Sequence, residues 1–194
     1  MNLSELPGGE TNPIYQQVEA SNNARQYGFL SSMIQAAIAS NKTWLSESLV
    51  KAINFHAIVG LHDQAGQYRS VEVLVGNHQP PESYRVASLM EDFVNAVNRN
   101  WETATALDLG SWALWRLNNI HPFVNGNGRT ARAACYFILC IKAGGLLPGS
   151  PILPEVLSQE PVRAEYVAAL QLADQGNMND LLALVQRLIT QQLQ

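Results

Sequence analysis

Residues 121–132 read HPFVNGNGRTAR, which puts one histidine, two asparagines, two glycines and two arginines into twelve consecutive positions. A packed helix has no use for most of these residues, and an ordinary surface turn needs only one or two. Pro122 pushes His121 toward an extended backbone, so the helix running through Trp112 and Trp115 is expected to stop here. Asn125 to Gly128 then reads as a loop that tolerates positive φ, whose successive N–H groups can converge into an anion-binding nest. The helix that follows aims its positive N-terminal end at the same spot. Arg129 and Arg132, three apart, are expected on one face of its first turn. An arginine there opposes the helix macrodipole and costs a few tenths of a kcal/mol to ~1 kcal/mol. A chain that accepts this twice beside a nest implies a bound polyanion. A di- or triphosphate fits, because each guanidinium can grip two oxygens.

His121 lies across the loop from the arginines. An imidazole is the side chain best suited to taking a proton from a hydroxyl near neutral pH. Phe123, apolar on a polar loop, is expected to anchor it in the core. A base beside a phosphate cradle points to transfer onto a hydroxyl nucleophile, with nest and arginines holding charge on the leaving phosphates. Magnesium normally bridges such phosphates and favours carboxylate oxygens. The only candidate metal ligand in this loop is Asn125, with a neutral carbonyl oxygen.

The rest of the chain sets the frame. With 194 residues, 47 % of them hydrophobic, it has enough apolar material for one sizeable core. A formal net charge of −4 argues against a general nucleic-acid binder, which needs a basic face. Cys135 and Cys140 sit in an apolar run without a Cys-x-x-Cys pattern, so zinc is not expected and buried thiols fit a reducing compartment. The N-terminus has neither the basic start nor the apolar core of a signal peptide, and the longest apolar stretch, ARAACYFILCIKAGGLL, is broken by Lys142 and two glycines. The expectation is a cytoplasmic chain with no membrane partner.

Apolar spacing predicts helices over about 15–40, 46–59, 86–97, 106–120, after Arg129, and over about 163–173 and 180–192. Between them, Ser70 to Gly76 alternates: Val71, Val73 and Val75 fall on one face, as in a short strand. Asp63 to Gly66 precedes it as a turn, and Asn77 to Pro81 closes it. The fold class expected is a mostly α bundle with one short β-hairpin. His56, on an apolar helical face, is expected to be a satisfied core histidine. His62 and His78 flank the hairpin, either solvated or touching a target. Trp112 and Trp115 default to core packing, and Glu91–Asp92 to a solvated face. Arg69 could steady the hairpin or simply be exposed.

HPFVNGNGRTAR resembles the Fic-domain signature, His-x-Phe-x-Asp/Glu-Gly-Asn-Gly/Lys-Arg-x-x-Arg. Every defined position matches except 125, where Asn replaces the acid. The similarity extends to QYRSVEVLVG with its Pro-Pro exit, which is similar to the family's flap. It continues in SLMEDFVNAVN, which resembles the helix after the flap, and in EYVAALQLADQGNMNDLL, like the C-terminal helices. It covers roughly residues 45–190, giving a Fic domain over 45–194 preceded by a regulatory extension over 1–44.

Fic proteins are mostly helical, and they usually transfer AMP from ATP to a Ser, Thr or Tyr hydroxyl of a protein. The resemblance therefore implies His121 as the base, and Gly126, Asn127 and Gly128 as the anion hole. It implies Arg129 on the outer phosphates, and Arg132 on the γ-phosphate or on a regulatory glutamate. The target protein would add a strand to the flap around Ser70–Gly76. Asn125 would hold magnesium more weakly than the family's acid does, which implies slower transfer or a changed metal preference.

The family's regulatory glutamate follows a Ser/Thr-x-x-x-Glu pattern. The nearest matches are Tyr15-Gln-Gln-Val-Glu19 and Thr43-Trp-Leu-Ser-Glu47, and the reading favours Glu19 over a separate inhibitor protein or no inhibitor at all. Two alternatives stay open. One is a phosphoryl-transferring relative, against which Gly128 argues. The other is a non-catalytic nucleotide- or peptide-binding module, for which Asn125 argues.

Overall fold

The structure, a computed structural model, describes residues 2–76 and 78–194. Asn12 caps the first helix with its side chain on the Ile14 amide, and Pro13 supplies a preset φ at the first position, so α1 runs from Pro13 to Ala39. Its buried face carries Leu30 and Ile34, as the spacing predicts, but further up it is polar. Asn22 and Gln26 are buried and donate to the Val59 and Ile53 carbonyls at 2.8 and 3.1 Å. The N-terminal half of α1 thus docks by amides as well as by methyl groups, which is why its apolar pattern is weak.

Ser46 caps α2 (Glu47–Ile58), and Thr105 caps α4 (Ala106–Ile120), with α3 (Val86–Arg99) between them. At the centre lies α5 (Asn127–Ala143), buried nearly all round from Thr130 to Ile141 and ended by Gly144 at φ 79°. Its apolar run has no solvent face because α4, α2, α1 and the short α6 (Leu153–Val156) surround it. Gly110 on α4 lets that helix approach closely: a Cβ there would meet Leu139 Cδ2 at 3.2 Å. Cys135 and Cys140 are both buried free thiols inside this core. Two C-terminal helices, α7 (Val162–Asp174) and α8 (Asn179–Gln192), close the bundle against α4 and α6.

The fold is the expected helical one, and the helices fall close to where the spacing put them, except that α5 starts at Asn127, ahead of Arg129. The flap differs. Among the described residues there is no paired strand over 70–76; the only pairing is a tight reciprocal bridge between Val75 and His78, at 3.1 and 2.9 Å. Alternation fails as a predictor here because there is no core for the face to pack on. Val71, Leu74 and Val75 are all exposed, Leu74 by 74 %. Asn77, read as part of the closing turn, lies outside the described residues. No helix among the described residues is long and apolar enough to cross a membrane.

Candidate active site

Helix α4 ends on His121 itself. The residue is the helix C-cap, in the left-handed region at φ 50° and ψ 59°, rather than the extended backbone its proline neighbour favours. Left-handed non-glycine residues are uncommon, although histidine is among the commoner ones, and the conformation persists only when its surroundings enforce it. Arg69 does the enforcing. It is 2 % exposed, and its Nε donates to the His121 carbonyl at 2.8 Å, while Nη1 reaches the Val71 carbonyl at 3.0 Å and Nη2 reaches that of Pro81. Its backbone N–H donates to the Pro122 carbonyl at 2.9 Å. One guanidinium thereby fixes the turn under His121 and both ends of the flap. Of the two readings open for Arg69, steadying the flap or exposure, the structure shows the first; its bond to the His121 carbonyl had no sequence signal.

Phe123 is fully buried, its ring centroid 5.5 Å from that of Tyr68. Asn127 staples the loop from inside: its Oδ1 accepts from Phe123 N at 2.9 Å and its Nδ2 donates to Phe123 O at 2.8 Å. The Asn127 side chain is therefore committed to the loop, leaving its backbone at the start of α5. Only Gly126, at φ 74°, uses the glycine freedom expected across 125–128, since Asn127 and Gly128 are already helical. A Cβ on Gly126 would also strike Ile58 Cγ2 at 2.6 Å. Beneath it, buried Asn54 of α2 donates to the Asn125 carbonyl at 2.9 Å and accepts from Gly66 N at 3.0 Å. Its only sequence signal was polarity inside an otherwise apolar helical stretch.

Because α5 starts at Asn127, Arg132 lies in the second turn rather than the first, and the two arginines diverge. Arg129 turns toward α1 and α2, with Nη1 3.0 Å from Glu19 Oε1 and 3.1 Å from the Ala57 carbonyl, and Nη2 3.3 Å from Asn125 Oδ1. Arg132 turns the other way, into a cavity of about 770 Å³ that His121, Gly128, Trp115, Asn118, Arg163, Tyr166 and Asp174 also line. Its Nε is buried without a hydrogen-bond partner among the described residues, and no ion pair there involves it. Burial pulls this guanidinium below its ordinary pKa, and Tyr166 and Tyr27 nearby pull it back up. The glutamate expected on Arg132 sits on Arg129 instead.

The His121 imidazole lines the same cavity. Its pKa is lowered to about 4, chiefly by burial and further by the nearby His78 and Arg69, against the Asn118 backbone carbonyl, which favours the protonated form. At neutral pH it is an uncharged acceptor. His78 reaches over the cavity from the flap: Nε2 lies 2.9 Å from the Asn119 carbonyl and Nδ1 3.5 Å from Asp174 Oδ2. Asp174 Oδ1 in turn accepts from Trp115 Nε1 and Asn119 Nδ2, both at 2.9 Å. Trp115 is therefore a cavity wall, whereas Trp112 stacks on Phe93 at 5.7 Å as core packing.

His62 is half-buried, and its Nε2 lies 3.0 Å from the Asn125 side-chain nitrogen. His56 departs from the expectation of a satisfied histidine. Its Nδ1 has no partner among the described residues, and its ring stacks on Phe29 at 4.4 Å.

Residues 44–139 match the family model of the Fic/DOC family. The "Protein adenylyltransferase Fic" of Drosophila willistoni is 31 % identical over 116 residues, covering 59 % of this chain and 22 % of that protein. The protein of the same name from Drosophila sechellia is 33 % identical over the same length and shares. Among solved structures, Fic-1 of C. elegans (residues 134–508) superposes with a TM-score of 0.76 at 22 % identity, over 98 % of this chain and 54 % of that one. BepC of Bartonella tribocorum, solved with bound AMPPNP, gives 0.56 at 14 % identity over 85 % and 86 % of the two chains. Residues 44–139 thus form a Fic-family domain. The chain spans about a fifth of the length of the curated relatives it matches.

Proposed function

We propose that this chain is a protein adenylyltransferase that moves AMP from ATP to a Ser, Thr or Tyr hydroxyl of a target protein, held in a restrained state by its own first helix. The observation that carries the reading is Arg132, a partly buried cation with no ion pair among the described residues, sharing one cavity with an uncharged imidazole and the N-terminal end of α5. A desolvated cation needs a partner, and a polyphosphate entering the cavity would be one. The relatives' names and the AMPPNP held by the BepC neighbour supply the nucleotide class.

In this reading the target hydroxyl oxygen attacks the α-phosphorus of ATP and the bond to the β-phosphate oxygen breaks. Pyrophosphate leaves, and the hydroxyl proton passes to His121. Arg132 and the first amides of α5, at Asn127 and Gly128, hold the charge on the phosphates. The flap from Ser70 to Gly76 presents backbone to the target, since among the described residues its only strand-type pairing is the Val75–His78 bridge. Residues 45–194 carry this machinery, and 1–44 regulate it.

The donor set does not fit a resident magnesium. Asn125 Oδ1 is engaged by Gly126 N and Arg129, and no group of three or more His, Cys, Asp or Glu among the described residues could hold a metal ion. Divalent metal would arrive on the nucleotide as part of the substrate.

Glu19 holds the Arg129 guanidinium that the phosphates would otherwise use, which favours a built-in restraint over a separate inhibitor protein. With ATP labelled at the α-phosphate and a cell lysate as target, Glu19→Gly is expected to raise labelling by about tenfold or more, the loss of a coupling of roughly 1.4 kcal/mol. Adding His121→Ala is expected to abolish it. An unlabelled lysate with the Glu19 variant, across several divalent metals, would count against the reading. Label transferred only from the γ-phosphate would show phosphoryl transfer instead.

A further inference from the structure

The side-chain amide at position 125 has four partners, and they sort by polarity. Its Nδ2 lies 2.9 Å from Glu10 Oε1 and 3.0 Å from His62 Nε2. Its Oδ1 accepts from Gly126 N and, at 3.3 Å, from Arg129 Nη2. A carboxamide serves all four, since it has two N–H donors and two lone pairs on oxygen. A carboxylate has acceptors only. At this position it would keep Gly126 and Arg129 but set a second negative oxygen at hydrogen-bond distance from Glu10, where two like charges repel.

Glu10 is delivered by a segment with its own anchorage. It sits on the 3-10 turn Gly9–Thr11, which follows another at Leu3–Glu5. Leu3 is buried with Tyr15, Ala57, Ile58 and Leu61 in a small apolar cluster separate from the main core. Ser4 N donates to the Leu61 carbonyl at 3.4 Å. The end of α2 is the common floor of both elements: Ala57 takes the Arg129 bond through its carbonyl, and Ile58 packs under Gly126.

We propose that residues 2–12 are a second restraint on the 121–132 loop, distinct from Glu19, which grips residue 125 through Glu10, and that the amide at 125 is what receives it. The contact is a property of this chain's residues; its consequence for catalysis rests on the transferase reading above. Glu10 holds Asn125 and Glu19 holds Arg129, and the Arg129–Asn125 bond joins the two. Replacing Asn125 with an acid therefore changes more than the loop's affinity for a cation, because it also expels Glu10.

The test is a charge cycle read by hydrogen–deuterium exchange on the full chain without nucleotide. Asn125→Asp is expected to speed exchange of the backbone-bonded amides of Ser4, Leu6, Gly9 and Thr11 by about tenfold or more, as the segment opens locally. Glu10→Gln alone is expected to change it by less than about twofold, since the new amide oxygen still accepts from Asn125. Glu10→Gln with Asn125→Asp is expected to return exchange close to the parent's, because the glutamine amide donates to the new carboxylate. Core amides of α5 report that each variant is folded. Unaltered N-terminal exchange in Asn125→Asp, or no rescue in the pair, overturns the proposal. Absence of labelling in every transfer assay would instead strike the transferase reading and leave the exchange result standing.

Discussion

His121 combines two departures from ordinary behaviour, a left-handed backbone and a depressed pKa, and both have identified causes in Arg69 and in burial. The pH consequence follows from the direction of the shift. The unfolded imidazole takes up a proton near its usual 6.5, whereas the folded one resists until about 4. Stability is therefore complete above 6.5 and drains away as pH falls from 6.5 toward 4. The loss is on the order of 3 kcal/mol at most from this residue. His56 and His62, both lowered chiefly by burial, push the same way. Thermal melts of the parent and of His121→Gln at pH 7 and pH 4.5 measure it. The variant is expected to lose distinctly less stability on acidification, and equal losses would remove His121 from the account.

At the scale of elements, the flap is a segment fastened at points rather than a paired hairpin. Arg69 secures both of its ends, and His78 secures its tip between the end of α4 and Asp174 at the end of α7. The His78 contacts are polar and lie at the edge of the cavity, so each contributes modestly, about 0.5–1.5 kcal/mol. His78→Ala is expected to raise proteolytic or hydrogen-exchange sensitivity over residues 70–81 by about three- to tenfold and to leave the melting temperature within about 2 °C. A large drop in melting temperature would mean that the His78 contacts stabilise the bundle itself. The unpaired backbone also explains why a period-2 pattern of valines did not become a strand: one strand with neither a partner nor a core face gains nothing from alternation.

For the molecule as a whole, the first helix is part of the body of the protein, and what joins it is partly polar. Asn22 and Gln26 bond to carbonyls of α2 and of the residue after it, and Glu19, one turn earlier, reaches across to Arg129. Gln26→Ala would leave the Ile53 carbonyl without this donor and is expected to cost about 1–3 kcal/mol. In a chain of this size that lowers the melting temperature by roughly 2–10 °C. If it melts like the parent, α1 is held by its apolar residues alone, and Glu19 would need another explanation for its position.

The helices were legible because their cause is local: apolar spacing acts within a few residues along the chain. The loop was legible as a candidate ligand site because unusual residue types crowd into it, and its likeness to the Fic signature singled out the same residues. What the loop's residues touch was not legible. Arg129 with Glu19, Asn125 with Glu10 and Arg69 with the His121 carbonyl are separated by tens of residues or more, and nothing in the spacing of either partner encodes the other. The sequence alone determined the bundle and the chemistry present in the loop, since both depend on neighbours along the chain. Only the tertiary structure decided which arginine faces the cavity and which is held by α1, because that choice depends on where α1 and α2 pack against the start of α5.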